Sequence, residues 1–189
     1  LMLELGLLRA IRKFRKELPR RRQNRLCSAT CSAEIRRLSA DLLNAPMESQ
    51  VATRNKTADR VKQSVYPVDK RRKRELLSHR IAAENWRQVL VFTRTKHRAN
   101  KVSEYLQKRN VPSEAIHGNK SQSARQRALE TFKSGDTRVL VATDIEARGI
   151  DIDDVTHVIN FELPKEPESY DHRNGRTAHA GGDRIALSF

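Results

Sequence analysis

The order of apolar runs predicts an α/β chain, a parallel sheet with helices on both faces. Short apolar runs recur through the second half, as in VLVF, RVLVAT and VTHVINF. Between them lie stretches whose apolar residues repeat at helical spacing. Runs apolar throughout and separated by amphipathic helices are the pattern of parallel strands joined by crossover helices, not of antiparallel hairpins.

Leu3, Leu7, Leu8, Ile11, Phe14 and Leu18 fall at helical spacing and stop before Pro19. RLCSAT, overlapping the basic run RRRQNRL, reads as a short strand. Ser32 is placed to cap a helix through about Leu43, and MESQVA reads as one more strand. Residues 53–59 lack apolar periodicity and read as a linker between residues 1–52 and 60–189. RVKQSVYPV opens the regular part as a strand, followed by a basic helix from Asp69 to about Glu84. QVLVFT is a strand, and the next helix presents Ala99, Val102, Tyr105 and Leu106 on one face. SEAIH is a short strand, and the helix after it turns Ala124, Ala128, Leu129 and Phe132 inward. TRVLVAT, VTHVINF and RIALSF complete the strands.

The 189 residues carry a formal net charge of +15, most of it in residues 1–80, which hold 21 Lys/Arg against 8 Asp/Glu. Such a balance attracts polyanions, because neutralising phosphates releases condensed counterions. Solvated helix faces are the plainer reading of RRRQNR and KRRKR. Cys27 and Cys31 stand without a second pair or a nearby His, so no metal site is expected. The opening LMLELGLL is too short to span a bilayer; the expectation is a cytoplasmic chain with no membrane partner.

In parallel α/β sheets ligands lie beyond the carboxyl ends of the strands. The residues at those places are Thr93, Arg94, Thr95 and Lys96; then His117, Gly118, Asn119 and Lys120; then Thr143 and Asp144. Arg148, Gly149 and Asp151 follow, with the cluster DHRNGRTAHAGGD. Hydroxyls, basic groups and glycines on one rim suit phosphate recognition.

Among these segments, VLVATDIEARGIDI resembles the fifth helicase motif of DEAD-box ATP-dependent RNA helicases, and HRNGRTAHAG their sixth. HGNKSQSAR resembles the family's QxxR element, VLVFTRTK its fourth motif, and SAT at Ser28, Ala29 and Thr30 its third. HGNKSQ with YPVDKRRKRELLSH most resembles the bacterial RhlE branch. The resemblance implies a RecA-like second lobe over residues 60–189 and the last elements of a first lobe over 1–52. It implies that Thr95, Gln122, Arg125, Thr143, Arg148 and Gly149 hold the backbone of single-stranded or structured RNA. Asp151 and Arg176 would then face ATP, with Arg176, Arg173 and His172 in the catalytic motif. Ser28 and Thr30 would couple hydrolysis to lobe closure, with a first lobe as partner and ATP with Mg²⁺ as cofactors.

Three departures qualify what the resemblance implies. No G-x-x-x-x-G-K-[ST] loop and no D-E-A-D occurs, so the isolated chain is expected to be inactive in ATP hydrolysis and to bind no cofactor tightly. In the sixth motif His179 stands at the second γ-phosphate arginine, Ala178 at a usual glycine, and Asn174 at a usual apolar position; the expectation is the loss of one permanent charge at 179, and the alternative a loop collapsed by Asn174 and Ala178. The chain also stops at Phe189, short of a further strand and helix. The expectation is the C-terminal portion of an ATP-dependent RNA helicase. The alternative is a stand-alone RNA-binding module or a non-functional remnant.

Overall fold

In a computed structural model, which describes residues 8–19, 21–27, 33–49, 61–144, 152, 155–177 and 185–189, six strands pair as one parallel sheet. They are β1 (Lys62–Val65), β2 (Val89–Thr93), β3 (Ser113–Ile116), β4 (Val139–Thr143), β5 (His157–Asn160) and β6 (Ile185–Ser188), in the order β1-β6-β5-β2-β4-β3. Helices α3 (Lys73–Ala83), α4 (Lys96–Gln107) and α5 (Gln122–Ser134) separate the first four strands, and α6 (Pro167–Asn174) runs into a 3-10 turn, Gly175–Thr177.

The alternation of side chains along the inner strands explains the two cores. Val89 and Val91 of β2 and Val139 and Val141 of β4 pack with Leu77, Ile81, Ala99, Val102 and Leu106 of α3 and α4. Leu90, Phe92, Leu140 and Ala142 point the other way, onto Ala128 and Phe132 of α5 and onto Ile152 and Val155. Both strands are buried on both faces, as their unbroken apolar runs require. Each fully buried Leu, Val or Phe contributes about 1.5–3 kcal/mol.

Local chemistry sets the element ends. Thr95 and Ser121 cap α4 and α5, accepting from the backbone N–H of Arg98 and Ala124 at 3.2 Å each. Gly135 ends α5 with a φ of 88°, a conformation open to glycine. At the amino end of the sheet Arg138 donates to the Trp86 carbonyl at 2.6 and 3.0 Å, and Trp86 stacks on His157 with 4.4 Å between centroids. That end is closed by packing; the carboxyl end is polar.

Three expectations shift. The first strand is Lys62–Val65 only, because its partner β6 ends at Ser188, whose carbonyl takes the last ladder bond from Tyr66 N at 2.8 Å. The helix after it begins at Lys73, not Asp69: Asp69 Oδ1 accepts from Arg71 N at 2.7 Å and its carbonyl from Arg72 N at 2.9 Å, which makes a turn. Tyr105 is not in the core but half-buried beneath guanidinium groups.

The chain divides into two compact units, Leu1–Ala52 and Thr53–Phe189. Among its described residues the first holds α1 (Leu8–Glu17) and α2 (Ala33–Leu42), joined by Arg12 to Asp41 at 2.9 Å. The described parts of the expected strands RLCSAT and MESQVA, residues 25–27 and 47–49, are not strands. A strand needs a neighbour for its backbone groups, and the described residues of this unit offer only helices. The rest of both segments and the expected linker, 53–59, lie outside the described residues.

Candidate functional site

The strand order makes the place for a ligand. After β2 the chain crosses to β3 on one side, and after β5 to β6 on the other, so a crevice opens between the carboxyl ends of β2 and β5. Thr93 and Thr143 lie side by side in register, as do Asn160 and Ser188, and all four are buried.

Arg173 fills the crevice from α6. Its side chain is 2% exposed and forks onto Asp144, Nε to Oδ1 at 2.6 Å and Nη2 to Oδ2 at 2.8 Å. Nη1 donates to Asn160 Oδ1 at 3.0 Å and to the Glu162 carbonyl at 2.7 Å, and the guanidinium lies over the Phe92 ring. Four of its five N–H groups are therefore committed inside the fold. Glu162 extends the arrangement. Its carboxylate accepts from Arg94 N at 3.0 Å and lies 3.6 Å from Arg98 Nε, fixing the loop after β2. Lys73 reaches the same rim from α3 and donates to the carbonyls of Phe161 and Phe189 at 3.3 and 2.8 Å. Burial holds its pKa below the usual lysine value, with Glu162 acting the other way.

Around this buried clamp stand the outward groups. Thr95 uses one lone pair for its cap, which leaves its O–H free to donate at the start of α4, where the helix dipole favours an anion. Lys96 Nζ bridges to Asn119 Oδ1 at 2.6 Å, tying the loop after β2 to the loop after β3. His117, buried behind them, contacts Asn100 Oδ1 through Nε2 at 2.8 Å. Gln122 and Arg125 pair on the first turn of α5 at 3.2 Å. Arg176 is half-buried on the 3-10 turn, and His172 is half-buried on α6.

Of the residues read from the sequence, Thr95, Gln122, Arg125, Thr143, His172, Arg173 and Arg176 are described. Ser28, Ala29, Thr30, Arg148, Gly149, Asp151, Ala178 and His179 lie outside the described residues. Asn160, Glu162, Gln63 and Lys73 were not singled out. For Asn160 and Glu162 the available signal was a polar or acidic residue on either side of the apolar end of a parallel strand.

Residues 72–181 match the family model described as the helicase conserved C-terminal domain. The DEAD-box ATP-dependent RNA helicase CshA of Geobacillus kaustophilus is 38% identical over 188 residues, covering all of this chain and 40% of that relative. Among solved structures, a variant of Saccharomyces cerevisiae Dbp5 bound to RNA and ADP BeF3 superposes with a TM-score of 0.87 at 27% identity, over all of this chain and 50% of that one. The Escherichia coli DEAD-box protein SrmB, bound to regulator of ribonuclease activity A, gives a TM-score of 0.63 at 35% identity, over 68% of this chain and 75% of that one. The chain spans about 40% of the length of the curated relatives it matches.

Proposed function

The chain belongs to the helicase conserved C-terminal domain family, of the DEAD-box RNA helicases, and from that premise we propose that its carboxyl rim holds the backbone of an RNA strand and forms one wall of an ATP site. The observation that carries the reading is the meeting of capped helix starts and basic groups on one rim above a buried clamp. Thr95 O–H, the N-terminus of α4, Lys96, and the Gln122–Arg125 pair all stand in the loops and first helical turns that follow β2 and β3. Thr143, Arg148 and Gly149 belong to the same track by their place in the fifth motif. Contacts of this kind grip phosphate and sugar and carry little sequence information.

Arg176 and Asp151 are assigned to the nucleotide side with His172, while Arg173 acts as a positioning residue, since four of its five N–H groups are already used. The hydroxyl and basic groups of the rim fit a phosphate-facing wall. Mg²⁺ and most of the phosphate contacts fall to a first lobe, of which residues 1–52 are read as the last elements, with Ser28, Ala29 and Thr30 as coupling residues. The RhlE-like wording of HGNKSQ is kept as the proposed branch. An intact enzyme of this kind would be an ATP-dependent RNA helicase working in the cytoplasm.

Titrating short unstructured RNAs of unrelated sequence by fluorescence anisotropy tests the reading. Dissociation constants between about 10⁻⁶ and 10⁻⁴ M that weaken with salt, and weaken further in Arg94→Gln/Lys96→Gln, are expected. Strong preference for one sequence, or no binding at low salt, refutes it.

A further inference from the structure

We propose that the outer face of α4, with Arg74 of α3, is a second RNA-binding surface, taking the phosphate backbone of a single strand after it leaves the rim; it rests on reading that rim as an RNA site. Residues 70–80 and 94–109 together carry 12 Lys/Arg and 2 Asp/Glu. Few of these charges are neutralised. Arg72 pairs with Glu75, Arg80 with Glu84 and Arg98 with Glu162, and Lys73 turns inward to carbonyls. Arg74, Lys101, Lys108 and Arg109 make no ion pair among the described residues.

Helical spacing lines these groups up. Ala99, Val102 and Leu106 face the sheet, so Arg98, Lys101 and Tyr105 fall on successive turns of an outward side that ends at Arg109. The stripe starts one turn beyond Thr95, at the rim, and runs about 16 Å. That length matches about five stacked nucleotides at roughly 3.4 Å each. Tyr105 organises its middle. The Arg109 guanidinium carbon lies 3.8 Å from the ring centroid and that of Arg74 5.0 Å away. A ring draws guanidinium groups through its quadrupole without neutralising them, so their planar forks keep N–H groups for phosphate oxygens. Among the described residues of this unit the large exposed apolar ones, Val65 and Leu163, belong to other segments, so the stripe lacks the apolar anchors of a protein interface.

The experiment titrates the full chain with fluorescent RNAs of about 6 and about 20 nucleotides across a KCl series, with circular dichroism to confirm folding. It compares wild type, Arg74→Gln/Lys101→Gln/Arg109→Gln, the rim variant Arg94→Gln/Lys96→Gln, and Arg127→Gln on the opposite face. The triple variant is expected to bind the longer RNA about tenfold more weakly at low salt. Its log–log salt slope should fall by about two, at roughly 0.7 for each phosphate no longer neutralised, with the shorter RNA unaffected. Arg127→Gln is expected to change neither. If the triple variant does not fold, Lys101→Gln alone should lower the slope by about 0.7. Unchanged affinity for the longer RNA overturns the proposal, and so does equal weakening for both RNAs, which would make the stripe part of the rim. Capture of polyglutamate by wild type but not the triple variant, with RNA binding intact, overturns it in favour of an acidic protein partner. If wild type ignores the short RNA while the triple variant still binds the long one more weakly, the rim reading fails and the stripe is supported.

Discussion

Replacing Arg173 with Met tests whether its guanidinium positions the rim or touches a ligand. The substitution keeps an unbranched apolar stem, takes away the guanidinium that lies over Phe92 and removes every donor. Breaking a buried ion pair by deleting one partner costs about 3–5 kcal/mol. Here the stranded Asp144 side chain is 31% exposed, so water recovers part of its solvation and its share falls to about 2 kcal/mol. Asn160 Oδ1 and the Glu162 carbonyl lose their donors at about 1 kcal/mol each. The total, about 3–4 kcal/mol, lowers the melting temperature of a domain this size by roughly 10 °C. Urea denaturation followed by circular dichroism measures it, with Asp144→Ala and the double variant closing a cycle whose coupling should be about 2 kcal/mol. Arg173→Lys keeps the charge but not the fork, and should recover less than half of the loss. A loss under 1 kcal/mol for Arg173→Met, with RNA affinity abolished, refutes the argument, since the guanidinium would then act on the ligand.

Three further outcomes are expected. Burial holds the His157 imidazole below its usual pKa, with Glu84 partly opposing, in a pocket closed by Trp86 and the Thr156 hydroxyl. The unfolded chain therefore takes up a proton near pH 6.5 that the folded chain refuses. Stability should fall as pH drops below 6.5 toward the depressed folded value. His157→Phe, which keeps the stack, should flatten that decline in urea titrations between pH 7.5 and 5.5, and parallel declines would count against it. Thr95→Ala removes the cap of α4 and should cost about 1 kcal/mol of stability along with affinity for short RNA; a change in stability alone would leave its O–H without a role at the rim. The chain alone should show no RNA-stimulated ATP turnover, and release of phosphate above background that Arg176→Ala abolishes would overturn this.

What the sequence made legible follows from how local each signal is. β2 and β4 stood out because strands buried on both faces must be apolar at every position. The rule that ligands lie at strand ends picked out Thr95, Lys96, Asn119 and Thr143, which stand at or just after the carboxyl ends of β2, β3 and β4; the caps at Thr95 and Ser121, though each joins neighbours three residues apart, were not read. Tyr105 was misassigned because its spacing fits the core stripe, while the guanidinium of Arg74 comes from another helix. The start of α3 was misplaced because Asp69 favours its own turn over a helix. The clamp was invisible for a different reason. Arg173 meets Asp144 across 29 residues, and around it Lys73 meets Phe189 across 116 and Asn174 meets Gln63 across 111, separations that no spacing rule reaches.

Asn174 illustrates how such long-range pairing changes the meaning of a departure. An amide at a position usually apolar in the family reads, in sequence, as damage to the sixth motif. It is 4% exposed, and an unpaired amide there would cost about 1–3 kcal/mol. Yet every bond it makes is directed. Arg173 can only donate, so Asn160 must offer Oδ1 to it and turn Nδ2 outward. Asn160 Nδ2 then donates to Asn174 Oδ1 at 3.0 Å, which leaves Asn174 Nδ2 to donate to Gln63 Oε1 at 3.3 Å. Gln63 Oε1 also accepts from the Tyr170 hydroxyl at 3.1 Å, and the Asn174 carbonyl accepts from Thr177 Oγ1 at 3.0 Å, closing the turn that carries Arg176. The polarity of each amide is fixed by its neighbour, from the edge strand to the fork on Asp144. An apolar residue at 174 would leave Asn160 Nδ2 without its acceptor, so in this chain the amide supports the motif.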